Sequence, residues 1–350
     1  MAAVYRDILG LDDVALTDSF FDLGGDSLSA LSVLDHIEQI TGERLAVSLI
    51  LEHQTPTLLA TALTRGSTRP NSLVPIQTGG SRAPLFCPHP FGGHVLFYAP
   101  LAKALGTEQP LFGLQARGLN GEAKPHLSIP EMAREYVEAI KSVQPRGPYQ
   151  LAGLSMGGSI AWEMACQLRD AGDEIAVLAL LDAKALHKHY EYASGRCHSL
   201  LGDSPAPDWL SEQPIILSIL FPALKKHWQK LKSVKRERQV TALLEFGRKA
   251  GHLPAISDTQ FDHILTVAEA NRIALYDYTP RPHDARSVLF AAKKGLRMST
   301  NQPDGDLGWK QFTQGHLEIH EVPGDHYTMV ASPHVSVLAK KLDKYLNRND

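Results

Sequence analysis

The sequence predicts a small all-α helical bundle followed by a larger α/β domain whose mainly parallel sheet is interrupted by a helical insertion. Three observations carry this. Charge is divided unevenly: residues 1–64 hold Arg6 and Arg44 against ten acidic side chains, a net of −8, whereas the 350-residue chain sums to −3 and the remainder to +5. Hydrophobic rhythm changes near residue 84, from helical periodicity to short apolar runs alternating with helical stretches, the pattern of βα units. That alternation stops between residues 184 and 275, where helical stretches follow one another without a strand. The expected boundaries are a bundle at 1–66, a linker at 67–82 and the α/β domain at 83–350, with its lid-like insertion at about 184–275.

In the bundle, residues 3–10 and 27–41 have helical periodicity, and Leu28, Leu31, Leu34, Ile37 and Ile40 would form the apolar stripe of the second helix. Thr55-Pro56 opens another helix, with Thr55 as cap and Pro56 at its first position, and Leu58, Leu59 and Leu63 facing inward. Gly79-Gly80-Ser81 ends the linker. In the larger domain, strands at Pro84–Cys87, Pro110–Leu114, Tyr149–Gly153 and Ile175–Leu181 alternate with helices at Val95–Leu105, about Pro130–Val143 and about Met156–Asp170. Helical stretches around 214–220, 225–245 and 259–276 fill the insertion. Strands resume at Ser287–Ala291 and Leu317–Val322, and a last helix covers about 333–346.

Composition narrows the function. With 43% hydrophobic and 21% charged residues the chain reads as a folded protein, and no run approaches the roughly 18 apolar residues of a membrane span. The N-terminus lacks the basic-then-apolar pattern of a secretory leader, so a cytoplasmic location is expected. Cys87, Cys166 and Cys197 show neither metal nor disulfide spacing; Cys87 and Cys166 read as core residues, and Trp162 as packing. The acidic bundle argues against nucleic acid, and the basic run from Lys225 to Arg238 has the spacing of a solvated helix face. No P-loop lysine and no Gly-x-Gly-x-x-Gly after a first strand suggest a nucleotide site.

Gly153-Leu154-Ser155-Met156-Gly157 is a Gly-x-Ser-x-Gly segment between a strand and a helix, the context in which a sharp turn lifts a serine hydroxyl above the sheet edge. A hydroxyl needs a base and an orienting acid to act as a nucleophile near neutral pH. His326 follows the strand Leu317–Val322 and is the expected base among sixteen histidines; Asp182 ends the strand Ile175–Leu181 and is the expected acid. Asp325, beside the histidine, and Asp284, ahead of a strand, are rivals for the acid. Ser155, Asp182, His326 is the chain order of α/β hydrolases. Oxyanion donors are expected from the N–H of Met156 and, in the loop His89-Pro90-Phe91-Gly92-Gly93, from the N–H of Phe91.

A second serine, Ser27, stands in Leu23-Gly24-Gly25-Asp26-Ser27-Leu28 at the start of the long bundle helix. On residue type and place alone, its plain role would be a helix N-cap. The segment Asp18-Ser19-Phe20-Phe21-Asp22-Leu23-Gly24-Gly25-Asp26-Ser27-Leu28, however, closely resembles the carrier (thiolation) domain of nonribosomal peptide synthetases over roughly residues 2–64. Residues 80–350 resemble the terminal type I thioesterase of the same assembly lines, through Pro88–Gly93, Gly113–Gly118, the Ser155 segment, Asp182 and Gly324-Asp325-His326.

The resemblance implies that Ser27 receives 4′-phosphopantetheine, whose thiol holds an acyl or peptidyl thioester, and that Ser155 takes over the acyl group for release by hydrolysis or cyclisation. It further implies a phosphopantetheinyl transferase, upstream adenylation or condensation domains, and a carrier that docks on the thioesterase, with the chain a monomeric excised end of a synthetase. Ile215, Ile216, Leu220 and Phe221 would line the acyl path. Alternatives are carbon–carbon condensation at the same site, a free-standing esterase and a non-catalytic docking module.

Overall fold

The computed structural model describes residues 1–25, 27–42, 45, 48–64, 72–119, 121–185, 198–199, 202–203, 242, 245, 249–250, 258–294, 305–315 and 317–347. The chain divides into two compact units, one made of Met1–Pro70, Gly118–Ala123 and Glu191–Glu269, the other of Asn71–Arg117, Lys124–Tyr190 and Ala270–Asp350.

In the first unit, helices α1 (Ala2–Leu9), α2 (Ser27–Thr41), α3 (Ser48–Glu52) and α4 (Pro56–Thr64) gather around Tyr5, Phe20, Ile37, Ile50 and Leu59, all fully buried. Tyr5 meets Phe20 edge-on at 4.9 Å, and its hydroxyl donates to the Gln54 carbonyl at 3.1 Å. Thr55 caps α4 as expected, its Oγ1 accepting from Leu58 N–H at 3.2 Å. Two expected faces shift. On α2, Ala30 and Val33 join Leu34 and Ile37 in the core while Ile40, near the helix end, is 64% exposed. On α4, Leu59 is buried but its neighbour Leu58, about 100° further round the helix, points to solvent. The side chains of Leu28 and Leu31 lie outside the described residues.

The second unit is built on a seven-stranded sheet in the order β1 (Leu73–Gln77), β3 (Leu111–Leu114), β2 (Leu85–Pro88), β4 (Tyr149–Leu154), β5 (Ile175–Leu181), β6 (Ser287–Ala292) and β7 (Leu317–Val322). All neighbours are parallel except β1, which runs antiparallel to β3. Strand β1 falls inside the expected linker. Pro75 in its middle cannot donate to a ladder, a defect that an edge strand tolerates. Every residue of β2 and β4 is buried, as a parallel sheet covered on both faces requires.

Helices α5 (Ala99–Leu105, entered through a 3₁₀ turn at Leu96–Tyr98), α6 (Ile129–Val143), α7 (Met156–Asp170) and α9 (Val335–Leu346) cover the sheet, α6 beside α7 and α9 beside α5. Cys87 and Cys166 are buried, as expected. Trp162 of α7 is core: its ring packs on Trp309 at 4.5 Å and its N–H donates to the Arg281 carbonyl at 2.9 Å.

Of the insertion, the expected helix at 259–276 is α8 (Asp258–Asp277), and a two-residue pairing joins His198–Ser199 to Gly202–Asp203. The stretches at 214–220 and 225–245 lie outside the described residues except Ala242 and Glu245, which are helical. Cys197, the expected acyl-path residues and the basic run also lie outside. Among the described residues no helix is long and apolar enough to cross a membrane, and no group of three metal-ligating side chains converges.

Three buried histidines make the second unit sensitive to acid. Burial pulls His89, His94 and His283 down to about 4, with neighbouring His89 adding to the effect on His94, and Arg169 and Arg281 to that on His283. Unfolded histidines take up a proton near 6.5, so between that value and about 4 the unfolded chain binds more protons. Stability should therefore fall as pH drops through this window, by up to about 1.4 kcal/mol per pH unit for each histidine. His283 packs on Trp162 with ring centroids 3.9 Å apart, so tryptophan fluorescence in denaturant will follow the loss. Imidazole NMR signals will separate it from carboxylate titration: the three stay neutral above pH 5, and a His283 signal titrating near 6.5 would refute the assignment.

Candidate active site

Ser155 is the single residue between β4 and α7, with φ 56° and ψ −125°, a conformation that costs an L-residue energy. Close backbone packing imposes it. A Cβ added at Gly153 would collide with the Gly157 carbonyl, at Gly157 with the Pro88 carbonyl, and at Gly158 with the Ala183 methyl. Glycine at these three positions lets the start of α7 press against the ends of β2, β4 and β5. The bend is tied on both sides, Ser155 N–H donating to Leu181 O and Gly158 N–H to Ser155 O, each at 3.0 Å.

Asp182 sits one residue past β5, also at positive φ (43°), and is 8% exposed. Its Oδ1 accepts from Ala292 N–H at 2.9 Å, and its Oδ2 meets His326 Nδ1 at 2.8 Å. With Nδ1–H donating to the carboxylate, His326 Nε2 is left as the proton acceptor. The turn that delivers His326 follows β7 and is held by Asp325, whose Oδ1 accepts from Tyr327 N–H at 3.0 Å and from Thr328 N–H and hydroxyl at 2.9 Å. Burial alone would raise the Asp325 carboxyl, but these donors and nearby His326 outweigh it and hold it below the usual range. Asp284 pairs instead with Arg169 at 2.5 Å. Of the three acids, the structure brings Asp182 to the histidine.

Of the two expected oxyanion donors, Phe91 is held by neighbours that sequence reading did not single out. Met156 opens α7, where N–H groups have no acceptor within the helix. Phe91 lies in the loop after β2, 6% exposed. Its N–H belongs to the peptide whose carbonyl is that of Pro90, and the two point in opposite directions across a trans peptide. That carbonyl accepts from His89 Nδ1 and from Gly93 N–H, both at 2.9 Å, so the direction of Phe91 N–H is set by two bonds on the far side of the plane. Burial keeps His89 neutral, which leaves its single proton on Nδ1. The next carbonyl, Phe91 O, accepts from Asn271 Nδ2 at 2.8 Å.

Tyr98 links this loop to the elbow. The β2–β4 ladder pairs Leu85 with Gln150 and Phe86 with Leu151 only. Where the strands part, the buried Tyr98 hydroxyl donates to Pro88 O at 2.7 Å and accepts from Leu154 N–H at 2.9 Å. His89 stood within the expected oxyanion loop and could have been weighed. Nothing in the local sequence marks Tyr98, while Asn271, a poor helix former mid-helix, is a breach of propensity that could have been noticed.

Ser27 is the first residue of α2, and its side chain lies outside the described residues. The turn before it is tightly built: Gly24 has φ 95°, and a Cβ at Gly25 would collide with the Phe20 ring. A phosphodiester on this serine would have its negative charge beside a helix N-terminus, where it is favoured, and the site's residue type fits such a group.

Comparison with known proteins follows the same division. The family described as "Thioesterase domain" matches residues 83–346, and the family described as "Phosphopantetheine attachment site" matches residues 1–63. A dimodular nonribosomal peptide synthase of Bacillus subtilis is 39% identical over 186 residues, 53% of this chain and 8% of that protein. Indigoidine synthase of Dickeya dadantii is 29% identical over 96% of this chain and 22% of its own length. Aspulvinone E synthetase of Aspergillus terreus is 29% identical over 95% of this chain and 36% of its own. Among solved structures, a four-domain nonribosomal peptide synthetase bound to AMP and glycine matches with a TM-score of 0.68 at 26% identity, over 99% of this chain and 26% of that one. The chain thus spans about a third or less of the length of each.

The Tyr98 bridge yields a direct test. Tyr98→Phe removes one oxygen and strands two buried backbone groups, so the second unit should lose about 1–3 kcal/mol per group left unpaired, read as a lower denaturation midpoint by tryptophan fluorescence. An unchanged midpoint would mean that the bridge carries no load.

Proposed function

The chain belongs to the thioesterase-domain family, with a phosphopantetheine attachment domain ahead of it, and from that premise we propose that it is the termination module of a nonribosomal peptide synthetase. The observation that carries the reading is the His326–Asp182 hydrogen bond, made at the sheet edge where the Ser155 elbow stands. When attached to Ser27, 4′-phosphopantetheine supplies a thiol that carries the acyl group as a thioester.

Ser155 then attacks the acyl carbonyl while His326 Nε2 takes its proton. Asp182 holds the imidazole in the tautomer this needs and supports the positive charge that forms. The N–H groups of Phe91 and Met156 stabilise the tetrahedral oxyanion. His326 gives the proton to the departing sulfur, the carbon–sulfur bond breaks, and the acyl group stays on Ser155 as an ester. Having both serines in one chain raises the effective concentration of the acyl group at Ser155, so weak contacts between carrier and thioesterase suffice. Upstream adenylation or condensation domains and a phosphopantetheinyl transferase are the implied partners. Loading from coenzyme A implies the cytoplasm.

The ester can be resolved by water, by an internal nucleophile or by a carbon nucleophile of a second acyl unit, and we favour the last. Indigoidine synthase and aspulvinone E synthetase match nearly the whole chain, and this span is 22% and 36% of their length. Were the synthetase that this chain terminates as short as these two, it would have room for few further domains, and a product larger than one building block would be reached by joining acyl units. In that step His326 removes a proton from the attacking carbon, the carbon–carbon bond forms at the ester carbonyl, and Ser155 Oγ leaves and is reprotonated by His326.

Loading with acyl-coenzyme A and a transferase, followed by intact-mass measurement, tests the whole reading. Ser27→Ala should take no arm. Ser155→Ala should keep its acyl group, with release slowed at least about 10³-fold, and Asp182→Asn should slow it about 10⁴-fold. Continued release from Ser155→Ala would remove Ser155 as nucleophile. Product masses equal to joined acyl units support condensation; the free acid alone supports hydrolysis.

A further inference from the structure

Asn271 stands in the interior of α8 and is fully buried, 0% exposed. Asparagine is a poor helix former, and burying its amide is costly unless the amide is bonded. Its Nδ2 donates to the carbonyl of Phe91, 180 positions away in the chain, at 2.8 Å. Its Oδ1 has no partner among the described residues. Among the described residues the amide therefore makes one hydrogen bond, to a single atom of the loop after β2.

We propose that Asn271 is a positioning residue for the oxyanion hole, acting through the Phe91 carbonyl. The proposal rests on the reading of Phe91 and Met156 as oxyanion donors. Phe91 is flanked by two peptide groups. The one before it is pinned through the Pro90 carbonyl by His89 Nδ1 and Gly93 N–H, both groups of the loop itself. The one after it is pinned through the Phe91 carbonyl by Asn271. With only the first pinned, rotation about the Phe91 backbone remains available to the loop. With both pinned, the residue is held from each side and its N–H is preorganised, which is what makes such a donor effective in a transition state.

The outer clamp also comes from a different element than the inner one. Helix α8 closes the insertion between β5 and β6. The Asn271–Phe91 hydrogen bond thus joins that helix to the oxyanion loop, so loss of this bond would loosen the hole without touching Ser155, Asp182 or His326.

The test uses the full chain, a soluble acyl thioester supplied in trans as substrate, and a boronic acid carrying an acyl-like group, which forms a tetrahedral anion on Ser155. Asn271→Asp keeps the shape of the side chain, removes the donor and turns a carboxylate oxygen toward the Phe91 carbonyl; Asn271→Ala removes the amide altogether. Losing one oxyanion donor outright costs about 10²–10³-fold in kcat, so loosening one should cost about 10–100-fold. The loss should fall on kcat, with KM within about twofold, and boronate affinity should weaken by the same factor as kcat/KM, because both report binding of the tetrahedral form.

Folded variants with wild-type kcat and boronate affinity would overturn the proposal, as would a loss confined to KM, which is the signature of a packing role. Should Asn271→Asp fail to fold, Asn271→Ser, small and neutral, carries the same comparison alongside Asn271→Ala. Failure of the underlying reading is distinguishable. A wild-type protein that forms no boronate adduct at Ser155 removes the nucleophile itself, whereas a normal wild-type adduct with unchanged variants removes Asn271 alone.

Discussion

The backbone crowding at the start of α7 is the constraint on which the rest of the second unit depends. Three glycines, Gly153, Gly157 and Gly158, bring that helix into contact with its own strand, with the exit of β2 and with the exit of β5. The helix N-terminus, the loop that carries Phe91 and the residue that carries the acid are drawn to one place by this single close approach. Ser155 is forced to positive φ because the chain has one residue in which to reverse from strand to helix. A methyl group at any of the three glycines would push these elements apart.

Crowding of this kind leaves backbone groups that ordinary ladders cannot satisfy, and the surrounding side chains take them up. The Tyr98 hydroxyl bonds to both strands where β2 and β4 part. Asp182 takes the Ala292 N–H with one oxygen and the His326 imidazole with the other, so the acid is fixed from the sheet before it orients the histidine. His89 and Asn271 hold the two peptide groups around Phe91. Burial of His89 serves this too: a protonated ring would carry a charge with no partner in the interior, so the neutral form that donates from Nδ1 persists. Preorganisation here is a consequence of satisfying buried polar groups one by one.

Much of this was legible in the sequence because it is local. Gly-x-Ser-x-Gly between a strand and a helix names its own geometry, and an aspartate at the end of an apolar run names its own edge of the sheet. The edge strand β1 was not legible: five residues with a proline in the middle, set among linker-like glycine and serine, carry too little periodicity. The faces of α2 and α4 were misjudged at Ile40 and Leu58 because an apolar residue near a helix end or one step round the helix follows the packing of a small bundle, not the average period. Tyr98 and Asn271 act across 56 and 180 positions, and no local pattern reports a partner so far away.

The proposed function requires transfer of one acyl group between two serines of the same chain. Rapid quenching after loading, followed by peptide mapping by mass, would show where the acyl group resides over time. Acyl mass should appear first on the Ser27 peptide through its arm, then as an ester on the Ser155 peptide before product accumulates. Product that forms at full rate with no acyl mass appearing on the Ser155 peptide at any quench time would contradict this transfer.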